Sequence, residues 1–102
     1  VKNLRFRKFV FPDSALEGTF DMLIAVNWIH SFNEDILKNR HLEYFVTNLN
    51  ENGYLIVDSV RNAGYKYCHD FHRYFEGLNC LITEIGQFPS NRTVYVIQKL
   101  AL

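Results

Sequence analysis

Two short apolar runs, separated by a helical pattern, constrain the fold of this chain more than any other feature of its sequence. Residues 22–26 read Met-Leu-Ile-Ala-Val, and residues 54–57 read Tyr-Leu-Ile-Val. A continuous apolar run of this length is typical of a strand buried on both faces, as in parallel sheets with helices above and below. The runs therefore predict buried strands of an α/β fold.

The segment between these strands has the features of a helix. Ser31 and Glu34 form a capping-box pattern, in which each side chain reaches the other residue's backbone N–H. An apolar stripe at i, i+3, i+4 and i+7 follows. Gly53 lies in the turn that ends the helix, where glycine can take a positive φ. The residues of the stripe are Leu42, Phe45, Val46 and Leu49.

The rest of the chain predicts another helix and three more strands. Phe71, Phe75 and Leu78 form a second helical stripe. Residues 4–11 favour a strand before the first apolar run. Residues 80–85 and 93–100 favour two strands with no helix between them, which therefore pair antiparallel as a hairpin. The alternating elements predict a doubly wound α/β fold, a mostly parallel sheet flanked by helices with a C-terminal antiparallel hairpin.

Length, charge and cysteine content exclude several classes of function. The chain has 102 residues, enough for one domain or part of one. Its 11 basic and 11 acidic residues balance, so neither a nucleic-acid partner nor a membrane surface is expected. Two cysteines without a CxxC pair favour a reduced, cytoplasmic setting. The chain begins with Val1, which suggests processing or a piece of a longer protein.

Three segments resemble one enzyme family. Residues 20–30 resemble FDxIxxxxxLHH, the fourth-strand motif of class I S-adenosylmethionine-dependent methyltransferases. Residues 49–58 resemble the family's next motif, LxPGGxLxxxD, with Asn52 and Tyr54 at two of the Pro/Gly positions. Residues 92–99 resemble the last strand of the family's closing hairpin. The resemblance implies a Rossmann-like fold and transfer of a methyl group from S-adenosylmethionine to a small-molecule acceptor.

The family's first two βα units have no counterpart in the sequence. They carry a GxGxG loop, whereas no two of the five glycines here are two residues apart. Residues 1–102 are therefore expected to be a single partial domain, the C-terminal half of a methyltransferase-like domain, inactive alone. It could pair with the missing N-terminal half, self-associate through an exposed sheet edge, or shift its first strand. The alternatives are a non-catalytic α/β interaction module and another doubly wound nucleotide-binding enzyme.

The resemblance implies cofactor contacts at two places. Asp13, Ser14 and Ala15 follow the first strand, where the family binds adenine; a turn with a helix cap is the competing interpretation. Val26, Asn27 and Trp28 lie where the family binds the methionine and methyl end of the cofactor. We expect Asp21, at the other end of that strand, to have a structural role.

Acceptor chemistry is assigned to the residues that follow these strands. His30 is a candidate general base, since an ordinary histidine titrates near neutral pH; packing is the alternative. Asp58, Tyr65 and His72 are candidate acceptor-binding residues, against a solvated loop or surface position. Cys68 and His72 are four residues apart, but two ligands do not make a zinc site, so no metal is expected. In that interpretation Cys68 packs as a small apolar residue, and His69 lies near the surface with His72.

Overall fold

The computed structural model describes residues 18–26, 41–60, 69–88 and 91–101. The described elements are strand β1 (Phe20–Ala25), helix α1 (Leu42–Asn48), strand β2 (Leu49–Val60), helix α2 (Phe71–Tyr74), strand β3 (Cys80–Phe88) and strand β4 (Arg92–Lys99). The predicted strand at 4–11 and the capping box at Ser31 and Glu34 lie outside the described residues.

The four described strands form one sheet in the order β1-β2-β4-β3. β1 is parallel to β2, while β4 is antiparallel to both β2 and β3. The antiparallel hairpin is therefore confirmed, but this part of the sheet is mixed rather than mostly parallel. The loop between Phe88 and Arg92 is too short for the crossover that a parallel pair requires.

Helix α1 confirms the first helical stripe. Leu42, Phe45 and Leu49 are buried, and Val46 packs against the same core. Leu49 already belongs to β2, so strand follows helix without a loop. The ammonium of Lys99 lies at this junction and donates to the backbone carbonyls of Val46, at 2.8 Å, and Leu49, at 3.0 Å. Strand β4 thus supplies the hydrogen bonds that the end of α1 lacks.

Replacing Lys99 with methionine should destabilise the chain by about 1–2 kcal/mol. Methionine keeps the apolar stem but leaves two helix-end carbonyls without their charged donor. Urea unfolding followed by circular dichroism measures the effect. The neighbouring substitution Gln98→Met is the control, because the Gln98 amide makes only a long 3.4 Å contact with the Asn52 carbonyl. Equal stabilities for the two variants would contradict this role of Lys99.

In the turn before the parallel β1–β2 pairing, the roles of Asn52 and Gly53 differ from the sequence prediction. Asn52 has the positive φ, 64°, so the prediction for Gly53 is wrong. Asparagine is one of the few residues that tolerate this conformation. Gly53 is required for a different reason: a Cβ there would lie 2.8 Å from the Asn50 carbonyl oxygen and 3.0 Å from that of Asp21. The Asn50 carbonyl of β2 itself and the approach of β1 together leave no space for a side chain.

Both described helices cover the same face of the sheet, which we call the helix face. The core formed there includes Leu55 and Val57 of β2 and Tyr95 and Ile97 of β4, which meet Phe71 and other helix residues. These strand residues pair in register, Val57 with Tyr95 and Leu55 with Ile97, so their side chains share one face. Leu23 and Ala25 of β1 pack against this core.

The second helical stripe is only partly confirmed. Helix α2 is a single turn, Phe71–Tyr74, whose N-cap is Asp70: its carboxylate accepts from the His72 backbone N–H at 3.1 Å. Phe71 and Phe75 are buried as predicted. Leu78 is 48% exposed, so its assignment to the stripe is wrong. The chain turns at 75–77 before the position of Leu78 is reached, with Gly77 at a φ of 80°.

The opposite face, which we call the open face, is apolar and exposed over much of β1 and β3, whereas Asp58 and Val60 of β2 are buried on it. It carries the alternate residues of each strand. Because Met22 and Ile24 of β1 are at least half exposed on this face, the prediction that β1 is buried on both faces is wrong. Six of its large apolar residues are between 38% and 62% exposed: Met22, Ile24, Val26, Tyr54, Leu81 and Ile85. Most of these residues lie in the apolar runs that were predicted to form strands buried on both faces. The described helices, however, pack only against the helix face.

Candidate functional site

The carboxyl ends of the parallel strands bring two predicted site residues together. Ala25 pairs with Val57, so Val26 and Asp58, the next residue of each strand, follow side by side. Strand alternation places both side chains on the open face. Val26 is 49% exposed, whereas Asp58 is buried. The parallel arrangement therefore gives this edge one accessible apolar side chain and one enclosed carboxylate.

The carboxylate of Asp58 is held by Arg92. The Arg92 guanidinium donates to Asp58 Oδ2 across the β2–β4 pair, and the Asp58 side chain is only 2% exposed. Asp58 pairs with Val94 and Arg92 with Val60, so the ion pair is a diagonal contact on one sheet face. Strand β2 continues to Val60, two residues past the strand end expected from sequence. The ion pair explains why a charged side chain is tolerated at a buried strand position.

A buried polar cluster on the helix face was not predicted from sequence. The His69 backbone N–H donates to Ser59 Oγ at 2.9 Å, and His69 Nδ1 and the Tyr74 hydroxyl are joined by a 2.6 Å hydrogen bond. His69 is only 4% exposed, so its predicted surface position is wrong. His69 directly precedes Asp70, the N-cap of α2, and this position is the sequence signal that could have indicated that the His69 side chain is buried.

His72 lies elsewhere, on the outer side of α2. Its Nε2 lies 2.8 Å from Glu84 Oε1, and both side chains are about half exposed. Its ring meets the Tyr95 ring edge to face, with 5.9 Å between centroids. Glu84 and Tyr95 pair on the helix face, whereas Asp58 points to the open face. His72 and Asp58 are therefore on opposite faces of the sheet.

The other assigned residues lie outside the described residues. They are Asp13, Ser14, Ala15, Asn27, Trp28, His30 and Tyr65. Their roles, and those of Val26, Asp58 and His72, stay predictions. Asp21 has a visible structural contact: its carboxylate accepts a 2.8 Å hydrogen bond from the Asn50 side-chain amide. That contact ties the start of β1 to the turn before the parallel pairing.

Cys80 is a free, half-buried thiol at the start of β3. Burial raises its pKa above the usual value, and the Lys99 ammonium opposes part of that rise. A raised pKa leaves less thiolate at neutral pH, so alkylation by iodoacetamide at pH 8 should be slower than that of N-acetylcysteine. Labelling rates from peptide mass spectrometry, which counts Cys68 separately, measure this difference. A rate equal to or above that of the free thiol would contradict the burial effect.

Neither metal ligands nor a membrane span is found in the part of the chain described above. No cluster of three or more His, Cys, Asp or Glu side chains there is arranged to hold a metal ion. Of the described helices, none has the length and apolar character needed to cross a membrane.

Solved structures share this fold, although sequence comparisons find no relative. Neither a protein family nor a curated protein matches the chain by sequence. The N-methyltransferase NodS from Bradyrhizobium japonicum WM9 aligns with a TM-score of 0.60 at 13% identity, covering 85% of this chain and 55% of NodS. TehB from Haemophilus influenzae aligns with a TM-score of 0.59 at 10% identity, covering 84% of this chain and 37% of TehB.

These neighbours identify the fold class. NodS is an N-methyltransferase, and this chain shares the α/β fold of NodS and TehB, as expected from the sequence resemblance. The chain spans about half the length of NodS and just over a third of TehB. At this level of identity, the likeness concerns the fold.

Proposed function

We propose that this chain is the C-terminal half of a Rossmann-like, S-adenosylmethionine-dependent methyltransferase domain that acts on a small-molecule acceptor. The observation that carries the proposal is the parallel β1–β2 pair beside the antiparallel β4–β3 hairpin, in a chain whose motifs occur in the same order as the family's. The chain aligns with NodS over 85% of its own length. A cytoplasmic setting is part of the same proposal.

The described residues fit a cofactor contact at one point. Val26 is an exposed apolar side chain directly after a parallel strand, and ligands of α/β sheets bind beyond the carboxyl ends of such strands. Asn27 and Trp28 would continue this wall toward the methyl group. Asp13, Ser14 and Ala15 would contact the adenine. S-adenosylmethionine would supply an electrophilic methyl group on a sulfonium.

The chain's own contribution to the reaction would be mainly orientation and exclusion of water. His30 would accept a proton from an acceptor hydroxyl or amine if that group must lose one. Asp58, Tyr65 and His72 would contact the acceptor. Since His72 and Asp58 lie on opposite faces, both could reach one acceptor only where the two faces meet, beyond the strand ends. Holding two reactants in line is the larger part of methyl-transfer catalysis.

The non-catalytic interaction module is the second candidate function. The exposed open face favours it, since large apolar patches mark interaction surfaces. Sequencing the transcript upstream of the Val1 codon separates the two candidates. We expect an in-frame strand followed by GxGxG for the enzyme; an upstream frame without this loop would favour the module.

A pair of substitutions in the protein extended by that upstream sequence tests the cofactor contact. Val26→Arg should raise the KM for S-adenosylmethionine at least about tenfold, because a cation and a long side chain would oppose the sulfonium. Leu81→Arg is the matched control, since Leu81 is 55% exposed on the same face but on the opposite edge strand, β3. An equal effect of both substitutions would contradict a cofactor contact at Val26.

A further inference from the structure

A cavity of about 430 Å³ lies on the helix face, between helix α1 and the segment formed by α2 and the turn that follows it. This volume falls within the range of about 300–1,000 Å³ that is typical of sites for small organic ligands. The cavity is lined mainly by apolar and aromatic side chains, and two carboxylates complete its walls. Such a mixture is typical of a ligand site, where apolar contact supplies affinity and a few polar groups fix the orientation.

Helix α1 supplies one wall of this cavity. Leu42 and Val46 are four residues apart on this wall. Glu43 and Thr47 have the same spacing, so the two pairs follow neighbouring lines along one side of the helix. Leu42 is buried, whereas Glu43 and Thr47 are exposed. The wall therefore passes from an apolar interior to a polar rim.

Tyr74, Glu76 and Leu78 form the opposite wall. The Tyr74 hydroxyl is fixed by its 2.6 Å hydrogen bond with His69 Nδ1. The turn after α2 is held by the Leu78 backbone N–H, which donates to the Phe75 carbonyl at 3.1 Å. Because α2 is only one turn long, Leu78 stays at this wall and does not reach the core. Both walls are therefore in place without a ligand, which lowers the cost of binding.

The charges of the cavity favour a cationic ligand. Glu43 lies in the first turn of α1 and Glu76 in the turn after α2, so each wall carries one exposed carboxylate. No cationic side chain of the described residues is among those that line the cavity. Arg73, which is not a lining residue, has its guanidinium over the Tyr74 ring, 5.6 Å from the centroid. The two carboxylates would repel an anion, whereas an ammonium group on an apolar body would match both the carboxylates and the apolar walls.

We propose that this cavity binds a small amphipathic amine, an organic cation whose apolar body fills the space between the two walls and whose ammonium group lies near Glu43 and Glu76. The cavity is separate from the site proposed for methyl transfer. Val26 and Asp58 lie on the open face, on the other side of the sheet, and His72 is not among the lining residues. The proposal therefore does not depend on methyl transfer, and a binding experiment tests it.

Phenylbutylamine, titrated into the 102-residue chain and followed by NMR of the backbone amides, tests the site. We expect a dissociation constant on the order of 0.5 mM at low salt, as for a ligand of about ten non-hydrogen atoms. The largest shifts should occur in the two walls, at residues 42–47 and 74–78, with only small shifts at Met22 and Ile24 of the open face. The neutral alcohol phenylbutanol should bind about tenfold more weakly, because it lacks the charge.

Substitution of the carboxylates identifies the groups that recognise the ammonium. Glu43→Gln and Glu76→Gln should each weaken amine binding about threefold, as expected for an exposed ion pair, and leave binding of the alcohol unchanged. Glu51→Gln is the matched control, because Glu51 is exposed but does not line the cavity. Leu78→Lys should weaken amine binding at least about tenfold, since it adds a cation to the wall.

Circular dichroism verifies that each variant is folded, so that a loss of binding reports on the cavity. The proposal is overturned if phenylbutylamine does not bind below about 10 mM, if the alcohol binds equally well, or if the largest shifts lie on the open face. Equal losses in Glu43→Gln and Glu51→Gln would also overturn it, because they would reflect the net charge of the chain and not the cavity.

Discussion

Replacing Phe71 with alanine is expected to lower the free energy of unfolding by about 3–5 kcal/mol. Phe71 is fully buried at the start of α2, and its ring centroid lies 5.0 Å from that of Tyr95 and 5.7 Å from that of Tyr74. A one-turn helix has no stability of its own. The Phe71 ring therefore holds α2 on the sheet, and its loss leaves a cavity between the two.

Urea unfolding measures this effect. Leu78→Ala is the control, because Leu78 is exposed and a surface truncation changes stability by about 0.5 kcal/mol or less. A Phe71→Ala variant within about 1 kcal/mol of the unmodified chain would show that α2 does not contribute to the core.

Replacing Arg92 with methionine should cost about 3 kcal/mol, because it leaves the enclosed Asp58 carboxylate without its charged partner. The Asp58 side chain is 2% exposed and that of Arg92 is 28% exposed, so solvent screens the carboxylate little. Methionine retains most of the apolar volume of the arginine stem. The loss therefore reports mainly on the charge and its hydrogen bond.

The double variant Asp58→Leu Arg92→Met identifies the cause. Removing both partners of a buried pair is often close to neutral, so the double variant should recover most of the stability lost in Arg92→Met. Guanidinium unfolding of the four proteins in this cycle gives the coupling energy. Additive losses would show that Arg92 stabilises the chain by packing and leave the ion pair without a role.

Local patterns predicted the elements of this fold well, because each depends on neighbouring residues. The stripe from Leu42 to Leu49 and the hairpin of β3 and β4 were visible as spacing and as the lack of an intervening helix. The positive φ at Asn52 was missed, and so was the steric restriction at Gly53, which comes from the nearby Asn50 carbonyl and from Asp21, which is distant in sequence. The exposed face of β1 was missed for a similar reason: an apolar run predicts that a strand is buried, but it does not show which element packs against each face.

The candidate site was predictable only in part. Strand ends are local features, so the amino-acid sequence was enough to place Val26 and Asp58 at the same edge of the sheet. The partner of Asp58 could not be predicted, because Arg92 is 34 residues away and reaches it through β4. His72 was assigned to the acceptor from its position near aromatic residues, and only the register of Glu84 and Tyr95 places it on the opposite face from Asp58.

Calorimetric titration with S-adenosylhomocysteine, the demethylated product of the cofactor, tests the central claim that this chain holds only part of a cofactor site. We predict no binding tighter than about 1 mM for the 102 residues alone. The same residues joined to their in-frame upstream sequence should bind with a dissociation constant on the order of 10 µM. Micromolar binding by the 102-residue chain alone, or none by an extended protein that carries GxGxG, would contradict the claim.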